Sequence, residues 1–165
     1  MDYLNPIHLW PRAPLPADLP EARVWRRLRR EVMAEFEVQE EPVITLGGRT
    51  WDRQQLLDAW PETSDPQVWA WHRQISEDAG WLGFLERGEA AAWAQAAPDL
   101  MTEPGFADWV APWLVPAYGD QLFFALLRAD EAALTHLLQG GPSLPVAWES
   151  RLYDRAYRHL VRETQ

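Results

Sequence analysis

Four histidines and twenty-five carboxylates are the side chains of this 165-residue chain best suited to moving protons. Among the histidines, His72 stands apart. It falls between Val68 and Ile75 at helical spacing, so it belongs to the apolar side of its segment, where a buried imidazole serves either as a hydrogen-bonded core group or as a general base. His8 lies in a proline-rich arm, His136 faces away from the Leu134, Leu137 and Leu138 stripe, and His159 sits among Arg155, Arg158 and Arg162. Those three read as surface residues. No two histidines stand four apart and none occurs in HExxH order, so no metal site is expected and no cofactor is called for. Serine nucleophiles have no GxSxG turn to present them. Paired carboxylates for acid-base work arise by chance among so many acids and support nothing by themselves.

Gly47 and Gly48, in "VITLGGRTWDRQQLLDAW", raise the question of a phosphate loop. Such a loop needs a helix start open to an anion, and usually a lysine. Here Asp52 places a carboxylate at that helix start, and the chain has no lysine at all. The glycines are therefore expected to make a hairpin turn between "VIT" and "RTW", followed by a D-x-x-Q capping box from Asp52 to Gln55, with Trp51 and Leu56 stapled across the cap.

Absent residues narrow the chemistry further. Without lysine there is no Schiff base and no P-loop ammonium, and without cysteine there is no disulfide, thiolate nucleophile or cysteine-bound zinc. The fifteen basic residues are all arginine and the tryptophans number eleven. GC-rich coding accounts for much of the arginine-for-lysine replacement and part of the tryptophan excess, selection against lysine as an acceptor of covalent modification being the alternative. A formal charge of −10 repels phosphate backbones and anionic lipid. Nucleic acid and membrane are thus not expected as partners, and a protein is. The N-terminus lacks the pattern of a signal peptide and the uncharged stretch Trp109 to Gly119 is too short for a bilayer, so a cytoplasmic location is expected.

The elements that must position these residues are mostly helices. A first helix is expected from Asp18, with Pro20 in its first turn and Glu21 completing a capping box. Its core stripe is Val24, Trp25, Leu28, Val32, Met33 and Phe36. Arg23, Arg26, Arg27, Arg29 and Arg30 come early and Glu31, Glu35, Glu37, Glu40 and Glu41 late, against the helix dipole. That order marks either a solvated face with Arg27 to Glu31 pairing or an arginine patch for an acidic partner. Further helices are expected from Ser64 or Asp65 to near Gly80, then in "WLGFLERG", in "EAAAWAQAAP", from Phe106 with Pro112 bending or breaking it, in "DQLFFALLRAD", from Asp130 to Gly140, and from Ser143 to the end with Trp148, Leu152, Tyr153, Ala156, Tyr157, Leu160 and Val161 as its apolar residues.

The expected architecture is mostly α: a single helical domain over 1–165, an irregular bundle of about six or seven short helices with one β-hairpin near 43–51. The proline-rich arm, 1–19, either straps across the domain through Ile7, Leu9, Trp10 and Leu15 or offers Pro11, Arg12 and Pro14 as a polyproline ligand. Trp69 and Trp71 point about 200° apart on a helix, so one of them is expected outside the core. Trp109 and Trp113 can share a face. Function is read as a noncatalytic interaction module, an adaptor or accessory subunit of a bacterial cytoplasmic complex. Its candidate contacts are Trp10, Arg12, Arg23, Arg26, Arg27, Arg30, Trp69, Trp71, Trp109 and Trp113. The alternatives are an acidic immunity or inhibitor protein that neutralises a basic toxin or nuclease, and a small acid-base enzyme using His72.

Overall fold

A computed structural model describes residues 2–40 and 42–163, the side chains of His159 and Glu163 excepted. Among the described residues it contains eight α-helices and one two-stranded antiparallel hairpin. The mostly α architecture and the hairpin are as the residue patterns imply, and the contacts divide the chain into two compact units, Met1–Glu77 and Asp78–Gln165.

The first unit begins with the arm. Pro6–His8 form a 3-10 turn capped by the Asn5 side chain, and Tyr3, Leu4, Asn5, Leu9 and Leu15 are buried. The arm is a strap. Helix α1, Ala22–Val38, starts at Glu21, which is extended and makes no side-chain cap. The expected capping box from Asp18 does not form. Pro20 pushes Leu19 toward extended backbone, and the chain just before it is held to the core by Leu15 and by the indole of Trp69, which donates to the Pro16 carbonyl at 2.8 Å. The stripe itself is as read: Trp25, Leu28 and Phe36 are buried, with Val24, Val32 and Met33 packed partly against the same core.

Strands β1, Val43–Leu46, and β2, Arg49–Asp52, pair with Leu46 opposite Arg49. Gly47 and Gly48 have φ of 59° and 75°, the positive values a two-residue I′ turn demands. Helix α2, Arg53–Ala59, carries the capping box in both directions, Gln55 N to Asp52 Oδ1 at 2.8 Å and Asp52 N to Gln55 Oε1 at 3.0 Å. Trp51 and Leu56 are buried in one core with Trp25, Leu28 and Trp69. Helix α3, Pro66–Glu77, buries Val68, Trp69, Trp71, His72 and Ile75.

The second unit opens where α3 was expected to continue. Asp78 instead caps a new helix, α4, Ala79–Arg87, with Gly88 closing it at φ 66°. Gly80, read from sequence as a stop, lies inside α4 and permits close approach of α5, Ala90–Gln95: a Cβ there would come within 2.6 Å of Ala96 Cα and 2.7 Å of the Ala92 carbonyl. Helix α6, Phe106–Leu127, runs unbroken through Pro112 and Pro116. The two prolines are four residues apart and exposed, so the Asp108 and Pro112 carbonyls left without donors face water. One helix therefore replaces the expected pair. By length and composition alone α6 meets the requirement for a membrane span. In this fold it packs against α4, α7, Glu131–Gln139, and α8, Glu149–Glu163, and its Asp120 pairs with Arg155.

Rings fill the centre of this unit. Trp93 meets Phe84, Trp81 and Tyr118 at centroid distances of 4.9, 5.5 and 5.7 Å, and all four residues are almost wholly enclosed. Asp130 caps α7 through Ala133 N, and the Tyr118 hydroxyl donates to the Leu137 carbonyl. On α8 the expected apolar stripe splits. Leu152 and Ala156, with Trp148 in the 3-10 turn Val146–Trp148 just before the helix, are buried, whereas Tyr153, Tyr157, Leu160 and Val161 are exposed, because the helix meets its neighbours on one side only.

Candidate functional site: an arginine and tryptophan face on α1

His72 is the first residue to place, since a catalytic reading depends on it. It is 2% exposed. Asn5 Nδ2 donates to the Tyr3 hydroxyl at 3.1 Å and to the His72 carbonyl at 2.9 Å, and the Tyr3 hydroxyl lies 2.9 Å from His72 Nδ1. A phenol proton directed at Nδ1 matches the neutral Nε2–H form of the imidazole. Burial pushes the imidazole pKa down to about 3, against the smaller opposing pull of the Glu62 carboxylate and backbone. In this geometry His72 fastens the arm to α3. Among the described residues no group of three His, Asp or Glu side chains is placed to hold a metal ion.

The open chemistry lies on α1. Arg23, Arg26 and Arg30 follow i, i+3, i+7 spacing, and Arg26, Arg29 and Met33 repeat the same spacing one row over. Together these five residues border a recess of about 560 Å³. A second concavity of about 690 Å³ adjoins it. It shares Arg26 and Arg29 and is walled by Leu19, Trp25, Trp60 and Pro61, with Glu62 and Ser64 at its far side. The guanidinium of Arg29 sits 5.7 Å from the Trp60 ring centroid, which holds both side chains at the junction. Trp25 is nearly buried, and its indole N–H has no acceptor among the described residues.

Charges around this face are unequally committed. Arg23 pairs with Glu21 at 2.6 Å and Arg27 with Glu31 at 3.7 Å, all four side chains being well exposed. Glu62 accepts from Ser64 N and Oγ, and those bonds hold its carboxyl below the usual range. Arg26 and Arg30 have no ion pair with any described residue. No family model, curated protein or solved structure significantly matches the chain. The site therefore has to be read from its own chemistry.

The other expected contacts are dispersed. Arg12 is exposed on the arm and borders neither of these two concavities, with Pro11 and Pro14 exposed beside it. Trp10 packs against Trp25 and Trp69 at 5.9 and 6.2 Å. Trp69 and Trp71 are both buried, so the expectation that one of them is exposed fails: α3 is enclosed on opposite sides. Trp109 and Trp113 share a face as read, with rings 5.1 Å apart and only half buried. Trp60 was missed as a site residue. Its only signal was position, a tryptophan beside Pro61 at the end of a short capped helix, and sequence gives no hint that this end lies against Arg29.

Proposed function

We propose that the protein is a noncatalytic protein-interaction module that receives its partner on the α1 face. The observation that supports this is the pair of adjoining concavities, sharing Arg26 and Arg29, in which exposed guanidinium groups lie next to half-buried Trp60 and Leu19 and the edges of buried Trp25 and Pro61. Arginine and tryptophan are the residues that concentrate binding energy at protein interfaces, since each offers a large planar surface together with hydrogen-bond donors. His72, the strongest acid-base candidate, is neutral, enclosed and occupied by Tyr3, which leaves the binding reading favoured.

The test is copurification from native extract, followed by hydrogen exchange on the purified complex. A stoichiometric partner that protects residues 22–33 and 60–64 is expected. Protection confined to other segments, or recovery of no partner, sinks the proposal. A second reading, inhibition of a basic protein, draws on the other half of the same helix and the residues just after it, where Glu31, Glu35, Glu37 and, beyond the helix end, Glu40 are exposed. Charge reversal separates the two: Glu35→Lys with Glu37→Lys disrupts the inhibitor complex, and Arg26→Glu with Arg30→Glu disrupts the complex proposed here.

A further inference from the structure

The α1 face also carries information about what kind of partner it fits, which deepens the interaction reading and rests on it. We infer that it takes a short acidic peptide segment, its carboxylates over Arg23, Arg26 and Arg30 and a neighbouring apolar or aromatic side chain in the cleft beside Trp25 and Trp60.

Length is the first argument. At about 1.5 Å of rise per residue, Arg23 to Arg30 spans roughly 10 Å, the reach of about three residues of extended chain. Carboxylates on alternate residues of such a segment recur every ~7 Å, close to the ~6 Å of helix rise between Arg26 and Arg30. A guanidinium meets a carboxylate through two parallel N–H donors, and of the three arginines Arg23, Arg26 and Arg30, the last two have no ion pair with any described residue to occupy that fork.

Charge beyond the arginines sets the limit on partner class. The same helix continues into exposed Glu31, Glu35 and Glu37, and the chain carries a net −10. A long polyanion such as a nucleic acid would run from the arginines onto those carboxylates, whereas a segment of a few residues stops short of them. The cleft supplies the remaining requirement. Its Trp60, Pro61, Leu19 and Trp25 walls offer apolar surface directly next to Arg26 and Arg29, and its two acids are already engaged, Glu21 by Arg23 and Glu62 by Ser64. An acid followed closely by an apolar anchor is the pattern this arrangement reads.

The experiment is selection of displayed random peptides on the intact protein, with fluorescence titration of the winners. Enriched sequences are expected to join Asp or Glu to an aromatic or large aliphatic residue within a few positions. Changing their acids to amides, or using Arg26→Glu with Arg30→Glu, weakens binding by about tenfold or more, and added salt weakens it as well. Trp60→Ser weakens it without altering the salt dependence. Because Arg26 and Arg30 are exposed, the double variant keeps its fold, checked by circular dichroism. Winners without acids, no enrichment, indifference to the double variant, or an oligonucleotide binding as tightly as the peptides would each overturn the inference. A native complex that protects α1 yet survives the double variant removes this inference and leaves the interaction module standing. Acidic peptides that bind when no native partner exists do the reverse.

Discussion

In the unit Asp78–Gln165, Trp93 sits among Trp81, Phe84 and Tyr118 and meets all three ring against ring. In the unit Met1–Glu77 the rings of Trp10, Trp25 and Trp69 also meet, yet the arm above them is secured by directional bonds: Tyr3 to His72, Asn5 to the His72 carbonyl, and Trp69 to the Pro16 carbonyl. The difference follows from the segments being joined. Helices α4 to α8 have their own backbone bonds and meet mainly through apolar faces, with a few directional ties between them such as Tyr118 to the Leu137 carbonyl and Asp120 to Arg155. An arm of eighteen or so residues rich in proline has few backbone bonds of its own, so side chains must satisfy and orient it. Neutral His72 is the price of that arrangement, since a polar ring is taken out of water and can no longer accept a proton near neutrality.

The contrast is broken most directly by Trp93→Ala. Removing a wholly enclosed indole is expected to cost about 3–5 kcal/mol in chemical denaturation. A loss under about 1 kcal/mol would mean that the ring cluster is not what holds its unit together. Acid should act on the other unit. The folded His72 pKa, about 3, is below its unfolded value near 6.5, so the unfolded chain takes up the proton first. The contribution is fully present above pH ~6.5 and is lost as pH falls toward 3, at about 1.4 kcal/mol per unit, or roughly 3 kcal/mol by pH ~4. His72→Gln should flatten that part of the stability curve relative to wild type; parallel curves would show that His72 carries no such linkage.

Smaller effects sharpen the same comparison. Gly80→Ala forces a methyl into the α5 backbone and is expected to cost about 1–3 kcal/mol. Gly48 meets nothing within 4 Å, so Gly48→Ala costs only its left-handed conformation, about 1–2 kcal/mol. One glycine is required for space and the other for geometry, and a crystal structure of each variant shows it: α4 and α5 separate in the first, and nothing but the turn moves in the second. Smallest is Asp52→Ala, which removes one half of the α2 capping box for about 1 kcal/mol.

How much of this was legible depended on the range of the interaction involved. The hairpin, the Asp52 box and the Asp130 cap are each decided within about ten residues of chain, and sequence placed them correctly. The missed Asp18 box, the unbroken α6 and the burial of both Trp69 and Trp71 were decided by partners far away in sequence. Pro112 and Pro116 end a helix when judged alone, but a continuous apolar face on the opposite side outweighs two missing hydrogen bonds that water can replace. At the candidate site, the arginine row was visible as spacing on one helix, while Trp60 and the concavities it borders were not, because α1 and the end of α2 come together only on folding.

By itself, then, the order of residues determined which chemistries were closed to this chain, where helices and the one turn begin, and which faces are apolar, since these rest on side-chain identity and contacts a few residues apart. The tertiary structure alone decided that Gly80 joins two helices, that His72 is a neutral tie beneath the arm, and that arginines and a distant tryptophan form one surface. Those outcomes depend on which faces meet, and burial is a property of the neighbour as much as of the residue.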